Sequence, residues 1–306
     1  MDPVESFIEP HTALGESPLW RASDQTLHYL DVLNNTIHIL DLSSTSYARR
    51  KIQCPEPVAS MNFCRQGGYI LCTFTGVVKL GEDGTWTELV KVIPSEQQAS
   101  VRLNDSAVDP LGRLWFGSID KCLDESDLAR PVVPTGYKPA GCLYRYDPDD
   151  TLHVQEDGGI VCSNGIGWTA DQTTMFHTDS YRQLVWAYDF DQTTGEVANR
   201  RVHVDRSGQQ GEPDGLIVDS EGNVFTFIWD ASLVEKYDRG GRLLQTWTLN
   251  APSVTHGAWV GQEMQDIIVT TAMKNTGECS DEGGGLFRLE NVTLGRGVEK
   301  TYWGEL

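Results

Sequence analysis

The chain has 306 residues, 39% of them apolar, enough to bury one large core or two smaller ones. Forty-four acidic side chains against 24 basic ones leave a formal charge of −20, which repels phosphate backbones and anionic lipid and so excludes nucleic acid and membrane as expected partners. No apolar run reaches the roughly 18 residues that span a bilayer, and the start MDPVESFIEPH lacks the basic-then-apolar pattern of a secretory signal.

The expected location is therefore the cytoplasm. Seven cysteines, Cys54, Cys64, Cys72, Cys122, Cys142, Cys162 and Cys279, are odd in number and form no CxxC pair. That argues against a disulfide framework or a thiolate zinc site and for reduced, mostly buried thiols.

Helical periodicity is almost absent. Short runs rich in Val, Ile, Tyr, Trp and Phe recur between Gly, Asp, Asn and Pro clusters, an all-β pattern. In the first unit the strands read SPLWR, LHYLDV, TIHILDL and YARRKIQ, with Asn34-Asn35 making a tight hairpin turn between the second and third. The second of these strands then recurs along the chain as YILCT at 69–73, LWFGS at 114–118, MFHTD at 175–179, VFTFI at 224–228 and DIIVT at 266–270. Their central residues fall at 29, 71, 116, 177, 226 and 268, spaced by 42, 45, 61, 49 and 42.

Six units of about 40 to 50 residues, each holding four short strands, predict a single six-bladed β-propeller over residues 1–306, with four-stranded blades around a central channel. The turns DPLGR, DSEGN and DRGGR place Gly where the backbone needs positive φ. The long third interval is accounted for by 119–141, a polar, Pro-containing insertion expected to loop over one face of the disc as a lid. Trp20, Trp115, Trp168, Trp186, Trp229, Trp247 and Trp259 lie on or near strands and are expected to pack between blades.

A polar residue precedes the recurring strand by ten or eleven positions in five units: Glu16, Asn104, Asn164, Asp214 and His256. Any one Asn or Asp beside Gly is an ordinary turn residue. Sharing one blade phase is different, because equivalent positions at the mouth of the innermost strands converge on the central channel.

Two carboxylates and an amide make a hard oxygen-donor set suited to Ca, Mg or Mn, with Zn also accommodated. Three protein ligands would leave positions for water and substrate. His256 shares the phase but has no acid or nucleophile beside it in sequence, so a hydrogen-bonded, channel-lining role is expected. No GxSxG elbow, GxGxxG or GxxxxGK[ST] loop is present.

The motifs GESPLW, RLNDSAVDPLGRLWFGS, CSNGIGWTADQTTMFHTDS, YDFDQTTGEVANRR, EPDGLIVDSEGNVF and GGGLFRL, in this order from about residue 12 to about 290, resemble the regucalcin, gluconolactonase and luciferin-regenerating group. The resemblance implies a six-bladed propeller with one divalent ion (Ca, Zn, Mn, Mg or Fe) held by Glu16, Asn164 and Asp214. It also implies that Arg102 and Asn104 orient substrate, with Asp105 lining the same pocket. Where regucalcin-like proteins carry a Glu in the third-blade insertion, this chain has Tyr137.

The function so implied is hydrolysis of a sugar lactone to its aldonic acid. The ion polarises the carbonyl, and Asp214 is the catalytic base that accepts a proton from water. The expected partner is the small-molecule lactone, with the protein a monomer or weak oligomer. Two other readings stay open: a metal-dependent hydrolase of another electrophile, such as a phosphotriester, and a non-catalytic calcium- or ligand-binding propeller.

Overall fold

The computed structural model describes residues 3–122, 136–273 and 281–304. After a short β1 (Ser6–Ile8), the chain builds sheets in sequence order. Blade one holds β2–β5 (Gly15–Arg21, Thr26–Asp31, Thr36–Asp41, Arg49–Gln53) and blade two β6–β9 (Val58–Phe63, Tyr69–Thr73, Gly76–Leu80, Trp86–Lys91). Blade three holds β10–β13 (Val101–Val108, Leu114–Asp120, Gly141–Tyr146, Leu152–Ile160) and blade four β14–β17 (Ser163–Trp168, Thr174–Asp179, Leu184–Asp191, Glu196–Asp205). Blade five holds β18–β21 (Glu212–Val218, Val224–Trp229, Leu233–Tyr237, Leu243–Thr248), and β22–β24 (Ser253–Val260, Asp266–Ala272, Leu286–Leu289) belong to blade six.

Every sheet is antiparallel and four-stranded. The sixth reaches four by taking β1 onto β24, with Ser6 opposite Phe287. The fold is a six-bladed β-propeller, as the repeat predicts, and each recurring pentapeptide is the second strand of its blade.

The chain divides into two compact units, Met1–Pro57 with Gln209–Glu299, and Val58–Gly208 with Lys300–Leu306. The first carries blades one, five and six, the second blades two, three and four. In the second unit β10 packs against β6 and β14; in the first, β22 packs against β2 and β18.

Of these first strands β6 and β22 are wholly buried, whereas fourth strands such as β5 and β21 are mostly exposed. Trp115, Trp168 and Trp259 bridge blades as expected. Trp115 of blade three meets Trp168 of blade four edge-on at 6.1 Å, and Trp259 of blade six meets Phe225 of blade five at 5.1 Å and 84°. Six described cysteines are free, five of them buried and Cys122 exposed; Cys279 lies outside the described residues. Among the described residues no helix is long and apolar enough to cross a membrane.

The D-x-x-G turns share one construction. Oδ1 of Asp109 accepts from the amides of Leu111 and Arg113 at 2.9 and 3.1 Å. Asp219 takes Glu221 and Asn223, and Asp238 takes Gly240 and Arg242, in the same way. Gly112, Gly222 and Gly241 follow with φ of 86°, 79° and 79°, a region a side chain enters only with strain.

The turn at Asn34-Asn35 differs from the two-residue hairpin expected. Asp31 and Thr36 are the last paired residues, so the connection has four residues, and only Asn35 of the pair has positive φ, at 50°. The reason is that the Val32 amide leaves the hairpin to donate to the Leu14 carbonyl at 2.9 Å. Of the expected lid, 123–135 lies outside the described residues.

The turns differ in burial. Asp109 is fully buried and also accepts from Arg113 Nε at 2.6 Å and Trp115 Nε1 at 3.0 Å. The Asp238–Arg242 pair is exposed on the Arg side. Asp109→Ala, which strands a buried guanidinium, is expected to cost about 3–5 kcal/mol. Asp238→Ala should cost no more than about 1–2 kcal/mol. Urea unfolding of the two variants checks the difference.

Candidate functional site

All six first strands break register against their second strands. The breaks fall between Glu16 and Leu19, Val58 and Ser60, Leu103 and Ser106, Ser163 and Ile166, Pro213 and Leu216, and Val254 and His256. A bulge re-aims the side chains beside it. Asn104, Asn164 and Asp214 lie inside such breaks and Glu16 at the edge of one, so the polar residues that share a phase in sequence share a conformational device.

In the second unit three predicted residues are joined directly. Arg102 Nη1 donates to Asn104 Oδ1 at 2.8 Å, and Asn104 Nδ2 donates to Asn164 Oδ1 at 3.0 Å and to the Ser163 carbonyl at 2.9 Å. Asn164 Nδ2 donates to Ser180 Oγ at 2.9 Å. A guanidinium can only donate, so Arg102 fixes which end of Asn104 is oxygen, and that in turn fixes Asn164. The Asn164 carbonyl oxygen accepts from Asn104 and keeps a second lone pair. Arg102 is held from its other side by the Phe74 ring, 4.9 Å below its guanidinium carbon.

Asp105 has different neighbours. It is 5% exposed, and its Oδ1 accepts from the Ser106 amide at 2.7 Å. Ser106 Oγ in turn meets Ser60 Oγ at 2.7 Å and Asn62 Nδ2 at 2.9 Å. Burial raises the Asp105 carboxyl to about 6, opposed in part by the charge of Lys300. Tyr137 is exposed, and its phenol donates to Asp120 Oδ2 at 2.7 Å rather than to Arg102 or Asn104. That bond pushes the phenol up to about 12. The same carboxylate oxygen accepts the Ala140 amide at 2.8 Å, so Asp120 anchors the return of the third-blade insertion to its sheet.

In the first unit Glu16 is half-buried and accepts its own neighbour's amide, that of Ser17, at 3.2 Å. The strand around it is pinned: Asp31 accepts the Ala13 and Leu14 amides at 3.1 and 3.2 Å, and Thr255 Oγ1 donates to the Gly15 carbonyl at 2.6 Å. Asp214 is buried, and Gly215 after it lies so close to His256 that a Cβ there would sit 2.4 Å from the imidazole. His256 is itself buried, stacked on Phe227 at 5.8 Å, with Nδ1 2.7 Å from the Gly257 amide nitrogen. It supports the backbone beside Asp214, in keeping with the hydrogen-bonded role expected of it.

Among the described residues no three His, Cys, Asp or Glu side chains gather as a metal set. A cation bound by the predicted residues therefore needs the amide oxygen of Asn164.

Residues 14–273 match the family model described as SMP-30/Gluconolactonase/LRE-like region. The chain belongs to that family. Across the SMP-30/gluconolactonase/LRE-like relatives, it is 28% identical to pentonolactonase XacC of Haloferax volcanii over 96% of each chain. It is 27% identical to regucalcin of Xenopus laevis over 97% of each. A solved luciferin-regenerating enzyme superposes with a TM-score of 0.84 at 25% identity, covering 98% of this chain and 99% of that one.

Sequence reasoning missed Ser180, Asp120 and Phe74. Only Ser180 had a signal, since the recurring second strand ends in Asp in LHYLD and MFHTD, the latter followed by Ser180. The equivalent Asp179 accepts the Val161 and Cys162 amides at 3.2 and 3.0 Å, as Asp31 does for Ala13 and Leu14.

The Asp105 carboxyl sits above its unfolded value of 3.8, so the folded state holds the proton more tightly. Its contribution is neutral below about pH 4, turns unfavourable as pH climbs from 3.8 to about 6, and is constant above that. Asp105→Asn removes this term. Urea unfolding should find the variant gaining on the parent between pH 4 and 7 by an amount on the order of 3 kcal/mol.

Proposed function

We propose that the protein is a metal-dependent lactonase that opens a sugar lactone, of pentonolactone or hexonolactone size, to the aldonic acid. The observation that carries this reading is the hydrogen-bonded series Arg102–Asn104–Asn164–Ser180, which presents a carbonyl oxygen of fixed polarity at a register break. The full-length similarity to a relative named a pentonolactonase supports the substrate class.

Glu16, Asn164 and Asp214 would hold one divalent ion, Ca, Mg, Mn, Zn or Fe, all of which accept such an oxygen set. When bound, the ion supplies Lewis-acid polarisation of the lactone carbonyl and stabilises the negative charge that develops on it.

The rest falls to the chain. Asp214 accepts a proton from the attacking water as the water oxygen bonds to the carbonyl carbon, then returns that proton to the ring oxygen as the bond between it and the former carbonyl carbon breaks, so that the ring oxygen leaves as a hydroxyl. Arg102 donates to substrate hydroxyls, and Asn104, already oriented by Arg102, fixes the ring beside it. Tyr137 stands in the place of an acidic residue, which favours a neutral sugar, although its own bond is to Asp120; Asp105 holds the β10 backbone next to Asn104 through the Ser106 amide. The free cysteines support a reducing compartment, the cytoplasm, as the place of action.

The test is acid release from a panel of aldonolactones after chelation, with each divalent metal added back singly. Metal-dependent release above the spontaneous rate is expected, and tight metal binding with no turnover on any lactone would replace this reading with a binding protein. Asp214→Ala should lose metal and turnover together, by about 10³-fold or more. Arg102→Ala should raise KM about tenfold with a smaller change in kcat, and full turnover by Asp214→Ala would refute the assigned base.

A further inference from the structure

Ser163 opens β14 with no exposed surface, and every side of it is occupied. Its carbonyl accepts Asn104 Nδ2 at 2.9 Å, and its hydroxyl lies 2.8 Å from His177 Nε2 on β15. Across the blade boundary its hydroxyl packs against Gly117 of β11, where a Cβ would stand 1.8 Å from Ser163 Oγ.

His177 is fully buried, and among the described residues its Nδ1 has no hydrogen-bond partner. An N–H on Nδ1 would be an orphaned buried donor costing about 1–3 kcal/mol. With the proton on Nε2, the ring donates to Ser163 Oγ and no ring N–H is left unpaired. Burial also pushes the imidazole down to about 3, so this arrangement does not titrate near neutral pH.

We propose that His177 is a positioning residue for the Asn104–Asn164 amide pair, acting through the Ser163 hydroxyl. Resting on the reading of Asn164 as an oxygen ligand, it extends that reading inward to residues that touch neither ion nor substrate. The Ser163 carbonyl and Asn164 Oδ1 share one donor group, Asn104 Nδ2. Rotation of Ser163 would therefore move the point from which Asn104 is held and release the Asn164 oxygen from its orientation. Ser163 stands at the edge of the β14 register break, so loss of the His177 bond is answered by movement of the residue there. Bonds of this kind behind a ligand commonly govern affinity without contact.

Two measurements on the full chain test it separately from the function. Crystal structures of His177→Leu and Ser163→Ala are expected to show the Asn104 Nδ2 to Asn164 Oδ1 contact opened beyond hydrogen-bond reach, while His177→Gln, which keeps a donor near the Nε2 position, preserves it. An unchanged contact in His177→Leu overturns the proposal whether or not any ion binds.

Titration with Mn²⁺ alone gives the consequence. The dissociation constant should rise about tenfold in His177→Leu and in Ser163→Ala, no further in the double variant, and return near the parent value in His177→Gln. Fully additive effects would also overturn it. Absence of Mn²⁺ binding by the parent would count against the ion reading alone, the crystal structures still deciding the relay.

Discussion

A break in register near the head of every first strand determines where this chain can place chemistry. Regular pairing would send alternate side chains to the two faces of a blade, where they would be buried against its neighbours. Each break spares one or two residues from that alternation, but it also costs ladder bonds, and buried backbone groups must be satisfied some other way. The polar residues at the breaks do this. Glu16 accepts the Ser17 amide, Asp105 accepts that of Ser106, and His256 Nδ1 stands against that of Gly257. Thr270 Oγ1 donates to the His256 carbonyl and Thr226 Oγ1 to that of Gly215. Local backbone need and ligand presentation thus select the same residue types, which is why these positions are polar in most blades whatever they bind.

The pairing of β1 with β24 is the second constraint. Without it blade six would have three strands and an open edge beside a cluster containing Leu286 and the partly buried Phe7 and Ile8. The first residues are held on blade five as well, the Val4 amide donating to the Thr248 carbonyl at 2.8 Å. In the second unit, residues after 299 are bound in a comparable way, with Trp303 donating to the Phe63 carbonyl and stacked at 6.3 Å on Tyr146.

The fold was legible because each blade repeats a strand of alternating or apolar character and a turn whose chemistry is unambiguous. D-x-x-G specifies both the side-chain acceptor and the positive φ. The site was legible as a phase: Glu16, Asn104, Asn164 and Asp214 stand out because they recur at one offset. What surrounds them was not. Nothing in the local sequence shows that Phe74 of the second blade supports Arg102 of the third, or that Gly117 meets Ser163 of the fourth, because these are contacts between blades. The four-residue turn after Asp31 was misjudged for a similar reason, its Val32 amide being claimed by Leu14, eighteen residues earlier.

The choice of an amide at position 164 follows from both the relay and charge. Asn104 has its oxygen turned to Arg102 and offers only N–H groups onward, so its neighbour must accept. Ser180 Oγ, at the start of a short 3-10 helix, takes the N–H of that same neighbour. An amide meets both demands with one fixed orientation. An aspartate would meet the first and force Ser180 to reverse. It would also add a third carboxylate to the proposed ligand set. In that proposed set Glu16 and Asp214 alone would balance the charge of a divalent cation, and a third negative charge would weaken the cation's pull on a lactone carbonyl. In a chain already carrying −20, an uncharged third ligand would keep the proposed site neutral, and the bonds from Arg102 through Asn104 and to Ser180 are what fix which end of the Asn164 amide is oxygen.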